Sequence, residues 1–204
     1  MKIPLPARIT DFLYETGIDE VGRGPGAGPV VAAAVIFPSD YSNPDIKDSK
    51  ALSERQRMIL DEEIKQKAIA WGIGEASPEE IDTLNIANAT FLAMERALIK
   101  LEESGIIANC LIVDGNSFKT DRKLPLSLLV KGDQKLLSIA GASIIAKNYR
   151  DSLMKEKALE YPGYGWETNM GYLSKTHIQA IKDLGVTPLH RKSFLRKILG
   201  GTDI

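Results

Sequence analysis

Apolar and polar positions follow two rhythms along this chain. Five short apolar runs, Tyr14–Val21, Pro29–Phe37, Ile69–Ala76, Cys110–Val113 and Leu126–Val130, are rich in β-branched residues and bounded by glycine, proline or polar clusters. Such runs predict strands. The second, "PVVAAAVIF", is apolar throughout and predicts a buried strand. Elsewhere the spacing is three and four. Ser53 and Gln56 form a capping-box pattern ahead of Leu60, Ile64 and Ala68. Ser77-Pro78-Glu79-Glu80 is a second helix start. Leu84, Ala87, Phe91, Met94, Leu98 and Leu101 then mark one face of a long helix. Gln134–Leu159 predicts another long helix, with a shorter one from about Ser174 and a last one near His190–Leu199. Three early strands followed by a β-α-β passage predict an α/β three-layer fold. The short loop between the first two strands predicts a hairpin and hence a mixed sheet.

Composition narrows this. The 204 residues are 44% apolar and 26% charged, enough for one large domain with its own core. The single cysteine, Cys110, excludes an internal disulfide and reads as a small buried hydrophobe in a reducing compartment. The first residues carry no apolar leader, and no window reaches the roughly 18 apolar residues of a membrane span. The expectation is a cytoplasmic monomer. The formal net charge of −1 gives no global pull on nucleic acid, but its distribution is uneven. Lys119–Lys157 holds nine Lys/Arg against four acids, and His190–Lys197 holds four Lys/Arg and no acid. These runs are solvated faces, unless they flank a site for a polyanion.

Candidate chemistry lies at three strand ends. Asp19-Glu20 closes the first strand, Asp114 the fourth, and Asp133 follows the fifth. Ligands of open α/β sheets gather at such ends. If the three strands are neighbours the four carboxylates converge. An all-oxygen set selects Mg²⁺ or Mn²⁺, whereas zinc would want histidine or cysteine. Taken singly, Asp133 could cap the helix at Gln134 and Asp114 could be a turn residue. Asp19-Glu20 has no evident structural use. Strand alternation sends the two to opposite faces unless the strand ends there.

"GRGPGA" (Gly22 to Ala27), with Asp40 downstream, has the outline of a dinucleotide fingerprint. That fingerprint needs a helix opening at the loop. Pro25 and Pro29 intervene and a strand follows, so the loop reads as bare backbone able to approach a sugar-phosphate chain, or as a plain turn.

"GIDEVGRGPGAGPVVAAAV", "DSKALSERQR", "IVDGN", "KGD", "SIAGASIIAKNYRD" and "GYLSKTH" together resemble bacterial ribonuclease HII from about Gly17 to Phe194. The related ribonuclease HIII has a threonine in the loop and a long N-terminal extension. Arg23 and the eighteen residues before Asp19 favour HII. The resemblance implies a ribonuclease H-like fold with a five-stranded mixed sheet flanked by helices. It implies a catalytic domain over 1–160 and a helical C-terminal segment over 161–204 that helps bind substrate. It also implies an endonuclease that cleaves RNA in RNA–DNA hybrids and cuts 5′ of single ribonucleotides in duplex DNA, leaving 3′-hydroxyl and 5′-phosphate ends. Asp19, Glu20, Asp114 and Asp133 match the family's catalytic, metal-binding carboxylates. Gly22, Arg23 and Gly24 match its loop at the ribonucleotide 2′-hydroxyl. Tyr172 matches the tyrosine that packs on the next, deoxy, sugar. Lys47, Ser49, Lys50, Ser143 and Lys147 match positions near the substrate backbone. Asn169, Leu173 and Ser174 depart from the family's histidine, glycine and threonine. Asp151 matches a family aspartate, and Lys147 four residues earlier offers it an ion pair.

Four mutually repelling acids motivate a scheme with two divalent ions, Mn²⁺ or Mg²⁺. Two other classes compete. A duplex-binding module without chemistry would shed acids that repel phosphate. A phosphatase of small substrates would not need the basic tail.

Overall fold

The computed structural model describes residues 4–47 and 49–196. Five strands form one sheet in the order β3-β2-β1-β4-β5: β1 (Glu15–Val21), β2 (Val30–Ile36), β3 (Ala70–Ala76), β4 (Cys110–Asp114) and β5 (Leu126–Leu129). β1, β2 and β3 are antiparallel neighbours, and β4 and β5 continue parallel to β1, so the sheet is mixed. Every residue of β2 is buried, as its unbroken apolar run predicts.

Helices cover both faces. On one, α3 (Ile86–Glu102) packs on β2 and β3 through Ala93, Met94, Ala97, Leu98 and Leu101. Gly72 and Gly74 let it approach, because a Cβ on either would lie 2.3 Å from a carbonyl oxygen of α3. On the other, α4 (Leu137–Glu160) crosses β1 and β2, with α1 (Glu54–Lys67) beside it. Ser53 caps α1 in the expected capping box with Gln56.

Two helical boundaries differ from the pattern. The expected long helix after Ser77 is two: α2 (Pro78–Leu84) ends and α3 begins at Asn85, where φ is 68°. Asn85 Oδ1 accepts from the Ala87 and Asn88 N–H groups, so a polar side chain restarts the helix where periodicity sees no break. The second long helix starts at Leu137 rather than Gln134, because Gly132–Gln134 forms a short 3₁₀ turn. Asp133 sits in that turn, and α4 has no side-chain cap.

The C-terminal segment holds α5 (Trp166–Asn169), which periodicity did not predict, α6 (Lys175–Leu184), capped by Ser174, and α7 (Lys192–Leu195). The expected last helix extends beyond residue 196, outside the described residues. A separate apolar cluster of Met154, Tyr164, Trp166, Ala180, Ile181 and Leu195 joins this segment to α4 and to Ala27 of the glycine loop.

Candidate active site

β1, β4 and β5 are adjacent, so their acidic ends share one edge of the sheet. Asp19 pairs in register with Ala33, and Glu20 with Ala32. Ala33 belongs to the cluster on the α4 face and Ala32 to the cluster on the α3 face. The two acids therefore alternate as a strand demands, close to the end of β1 at Val21, and the Glu20 charge still acts on Asp19. Asp114 is the last residue of β4, and its Oδ1 accepts from Gly132 N–H at 2.7 Å. Asp133, the next residue after Gly132, is 8% exposed. One turn thus fixes both acids.

The electrostatics of this edge are unfavourable without a cation. Burial, then the Glu20 and Asp114 charges, push the Asp19 carboxyl well above the usual carboxylate range. The Ser143 hydroxyl and the Glu20 N–H (2.7 Å to Asp19 Oδ1) oppose that only partly. Burial also raises Glu20, against Arg23, whose guanidinium lies 3.5 Å from Glu20 Oε1. Among the described residues no three carboxylate, histidine or cysteine groups are already closed into a cation cage. Asp19 and Asp114 each turn an oxygen to a backbone N–H instead. The donor set nonetheless fits a hard divalent ion: it is all oxygen, and Asp19, Glu20 and Asp114 repel one another.

Behind Asp19 the Ser143 hydroxyl meets that of Ser49 at 2.9 Å. Both serines are buried, at 8% and 3% exposure, so they stand under the carboxylate rather than on the surface. Lys147 is committed to Asp151 at 2.6 Å, and Arg57 reaches the other Asp151 oxygen at 3.2 Å. Asp151 is thus a structural ion-pair centre. Lys47 lines a cavity of about 190 Å³ with Asp45, Leu52, Gln56, Ile59 and Leu60. Lys50 is exposed.

The glycine loop borders the acids. A strand follows it, not a helix, which removes the dinucleotide reading. Gly22 has φ +88°, and a Cβ there would lie 2.2 Å from Arg150 Nε. The Tyr172 ring flanks Gly24: a Cβ on Gly24 would meet its Cε1 at 3.5 Å. Tyr172 itself is 52% exposed. Asn169 builds the turn that presents it, donating to Tyr164 O, accepting from Gly171 N–H, and accepting at its own carbonyl from Tyr172 N–H.

Four residues that the pattern of charge conceals support this region. Arg150 (1% exposed) donates to the carbonyls of Ala27, Pro29 and Met170. Arg191 (0%) donates to those of Gly22, Arg23 and Gly28. The basic tail is therefore partly interior. Arg150 had a readable signal: Ala142, Ala146, Arg150 and Met154 recur every four residues on the buried face of α4. Arg191 had none. His177 and His190 face each other at 3.1 Å, and Trp166 Nε1–H donates to His177 Nε2 at 3.0 Å. His177 Nδ1 bonds Tyr172 O at 2.9 Å, and His190 Nδ1 accepts from Thr187 N–H. Burial lowers both imidazoles, His190 to about 4.

A family model described as ribonuclease HII matches residues 16–197. A ribonuclease HII of Parabacteroides distasonis is 53% identical over 180 residues, 88% of this chain and 89% of that one. The ribonuclease H2 of Pyrococcus horikoshii OT3 superposes with a TM-score of 0.74 at 25% identity, over 90% of this chain and 96% of that one. Bst-RNase HIII in complex with Mn²⁺ superposes with a TM-score of 0.66 at 20% identity, over 93% and 70%; that likeness is one of fold.

Proposed function

The chain belongs to the ribonuclease HII family, and from that premise we propose that Asp19, Glu20, Asp114 and Asp133 are its catalytic, metal-binding carboxylates. It is an endonuclease of that family. Its proposed substrates are the RNA strand of RNA–DNA hybrids and duplex DNA containing single ribonucleotides, cut on the 5′ side to leave 3′-hydroxyl and 5′-phosphate ends. The observation that carries the site assignment is Asp19: a buried carboxylate beside two others, with its charge uncompensated.

Mg²⁺ or Mn²⁺ fits these donors, and a pair of such ions supplies water activation and charge stabilisation at the leaving 3′-oxygen. The chain's own residues do the rest. Ser143 bonds the Asp19 carboxylate, and Ser49 backs Ser143. The backbone of Gly22, Arg23 and Gly24 meets the 2′-hydroxyl, the one group that DNA lacks, without regard to base identity. Tyr172, beside Gly24, offers a flat apolar face to the following deoxyribose. Lys47 and Lys50 add positive charge toward the phosphate backbone, while Lys147 meets it with a charge shared with Asp151. Neither histidine serves as a general base, because each ring nitrogen already has an internal partner. Residues 161–204 form the segment that carries Tyr172 to a catalytic unit over residues 1–160.

Asp114→Asn tests the assignment. It keeps an oxygen for Gly132 N–H but removes the charge, so divalent-ion-dependent cleavage should fall by about 10² or more. Near-full activity would remove Asp114 from the site. Tyr172→Ala should reduce cleavage at single ribonucleotides more than cleavage of a continuous hybrid; equal loss on both would refute the junction role.

A further inference from the structure

The Arg191 guanidinium is wholly buried, yet among the described residues it has no carboxylate within ion-pair distance. Its three side-chain hydrogen bonds among the described residues all end on backbone carbonyls: Gly28 O at 2.9 Å, Arg23 O at 3.1 Å and Gly22 O at 2.6 Å. Burying a cation against neutral acceptors is costly, and here it is done twice, since Arg150 lies alongside with three carbonyls of its own. Plain packing at this position could be met by an apolar side chain.

Peptide geometry shows what the arrangement achieves. A trans peptide unit is planar, with its C=O and N–H pointing in opposite directions. There are no cis peptide bonds among the described residues. The unit that contains Gly22 C=O also contains Arg23 N–H, and the unit that contains Arg23 C=O also contains Gly24 N–H. Because Arg191 draws both carbonyls inward, both N–H groups must point outward. Arg23 and Gly24 are exposed, and no acceptor for either N–H lies among the described residues. The N–H groups of Gly26, Ala27 and Gly28 are by contrast bonded to Gly171 O and Leu189 O. The loop therefore presents two adjacent free donors and closes those of Gly26, Ala27 and Gly28.

We propose that Arg191 is a positioning residue for sugar discrimination: it fixes the Gly22–Arg23 and Arg23–Gly24 peptides so that two N–H groups converge on one acceptor oxygen, the 2′-oxygen of a ribonucleotide. The inference rests on the reading that this loop faces the substrate sugar. A deoxyribose brings carbon and hydrogen to the same place and leaves both donors desolvated without an acceptor. Sites built this way reject the analogue that lacks the oxygen far better than a shape-filling pocket does. Lysine cannot replace Arg191, because a single ammonium nitrogen does not span three carbonyls as the planar guanidinium fork does.

The test measures affinity in EDTA, where no cleavage confuses the reading. Two labelled duplexes of one sequence are used, one all-DNA and one with a single ribonucleotide. Wild-type protein should prefer the ribonucleotide duplex. Arg191→Lys should lower that preference about tenfold or more, while all-DNA affinity stays within about twofold. An unchanged preference overturns the inference, and so does an equal loss of affinity for both duplexes, which marks a merely structural role. If wild-type protein has no preference, the loop reading itself fails, and the inference with it. Should Arg191→Lys not fold, nuclear magnetic resonance on wild-type protein decides. The Arg191 guanidinium protons should exchange slowly, and the Arg23 and Gly24 amides should shift with the ribonucleotide duplex alone. Fast guanidinium exchange, or equal shifts with both duplexes, contradicts the proposal.

Discussion

Asp19 is surrounded by what its own charge least tolerates: burial, Glu20 and Asp114. Its folded-state pKa is raised, so its stabilising contribution is complete below the unfolded value and is lost as pH rises through the folded one. In EDTA the melting temperature of wild-type protein should therefore fall as pH rises above the ordinary carboxylate range. Asp19→Asn should abolish cleavage and yet raise the melting temperature in EDTA at neutral pH by about 2–4 °C for each kcal/mol of repulsion removed. A variant that melts lower than wild type under those conditions would show that repulsion at this edge is not the dominant effect. The placement of Asp19 and Glu20 near the end of the first strand was legible in the sequence, because the apolar run stops there. Arg191 and the two histidines were not. A buried cation bonded to carbonyls looks, in one dimension, like any other cation in a basic run. The motif singled out Ser49 and Ser143, but their burial and their bond to each other could not be read from it.

At the scale of elements, strand positions follow from β-branched runs, and every strand lies within a residue of its expected bounds. Helix limits are less legible where polar side chains set them. The break at Asn85 depends on one amide oxygen. The late start of α4 depends on the 3₁₀ turn that carries Asp133. Close approach is also invisible to periodicity, and Gly74 is the test. A methyl group there would overlap Ala93 O at 2.3 Å and Ala97 N at 2.4 Å. Gly74→Ala should cost about 1–3 kcal/mol in urea unfolding, as overpacking does elsewhere. A neutral outcome would mean that α3 can slide off β3. The histidine pair makes a second prediction. His177 Nε2 accepts from Trp166, so neither imidazole can gain a proton without driving N–H against N–H or breaking a bond. Both folded pKa values are lowered, His190 to about 4. The stability they contribute is present above the unfolded pKa of roughly 6.5 and is lost as pH falls toward 4. Tyr172 shares this network through its carbonyl, so the Trp166 and Tyr172 environments should change together in that window. Trp166 fluorescence constant from pH 7 to 4 would contradict it.

At the scale of the whole molecule, the C-terminal segment is bonded through the glycine loop rather than appended to the sheet. Gly26 and Ala27 donate to Gly171 O, Gly28 to Leu189 O, and Arg191 N–H to Gly26 O. Loop, tyrosine and tail consequently form one rim beside the acidic edge. Charge composition concealed this, since a net charge of −1 gives no sign of a polyanion surface. The membrane question is narrower: no described helix is long and apolar enough to cross a bilayer. What unites the three scales is a claim about one bond in one substrate. An end-labelled DNA duplex with a single internal ribonucleotide should be incubated with the protein and Mg²⁺ or Mn²⁺, and the cut position and termini read at nucleotide resolution. One cut 5′ of the ribonucleotide, with 3′-hydroxyl and 5′-phosphate ends and an intact all-DNA control, is the predicted result. A cut on its 3′ side, or equal cleavage of the all-DNA duplex, would contradict the account.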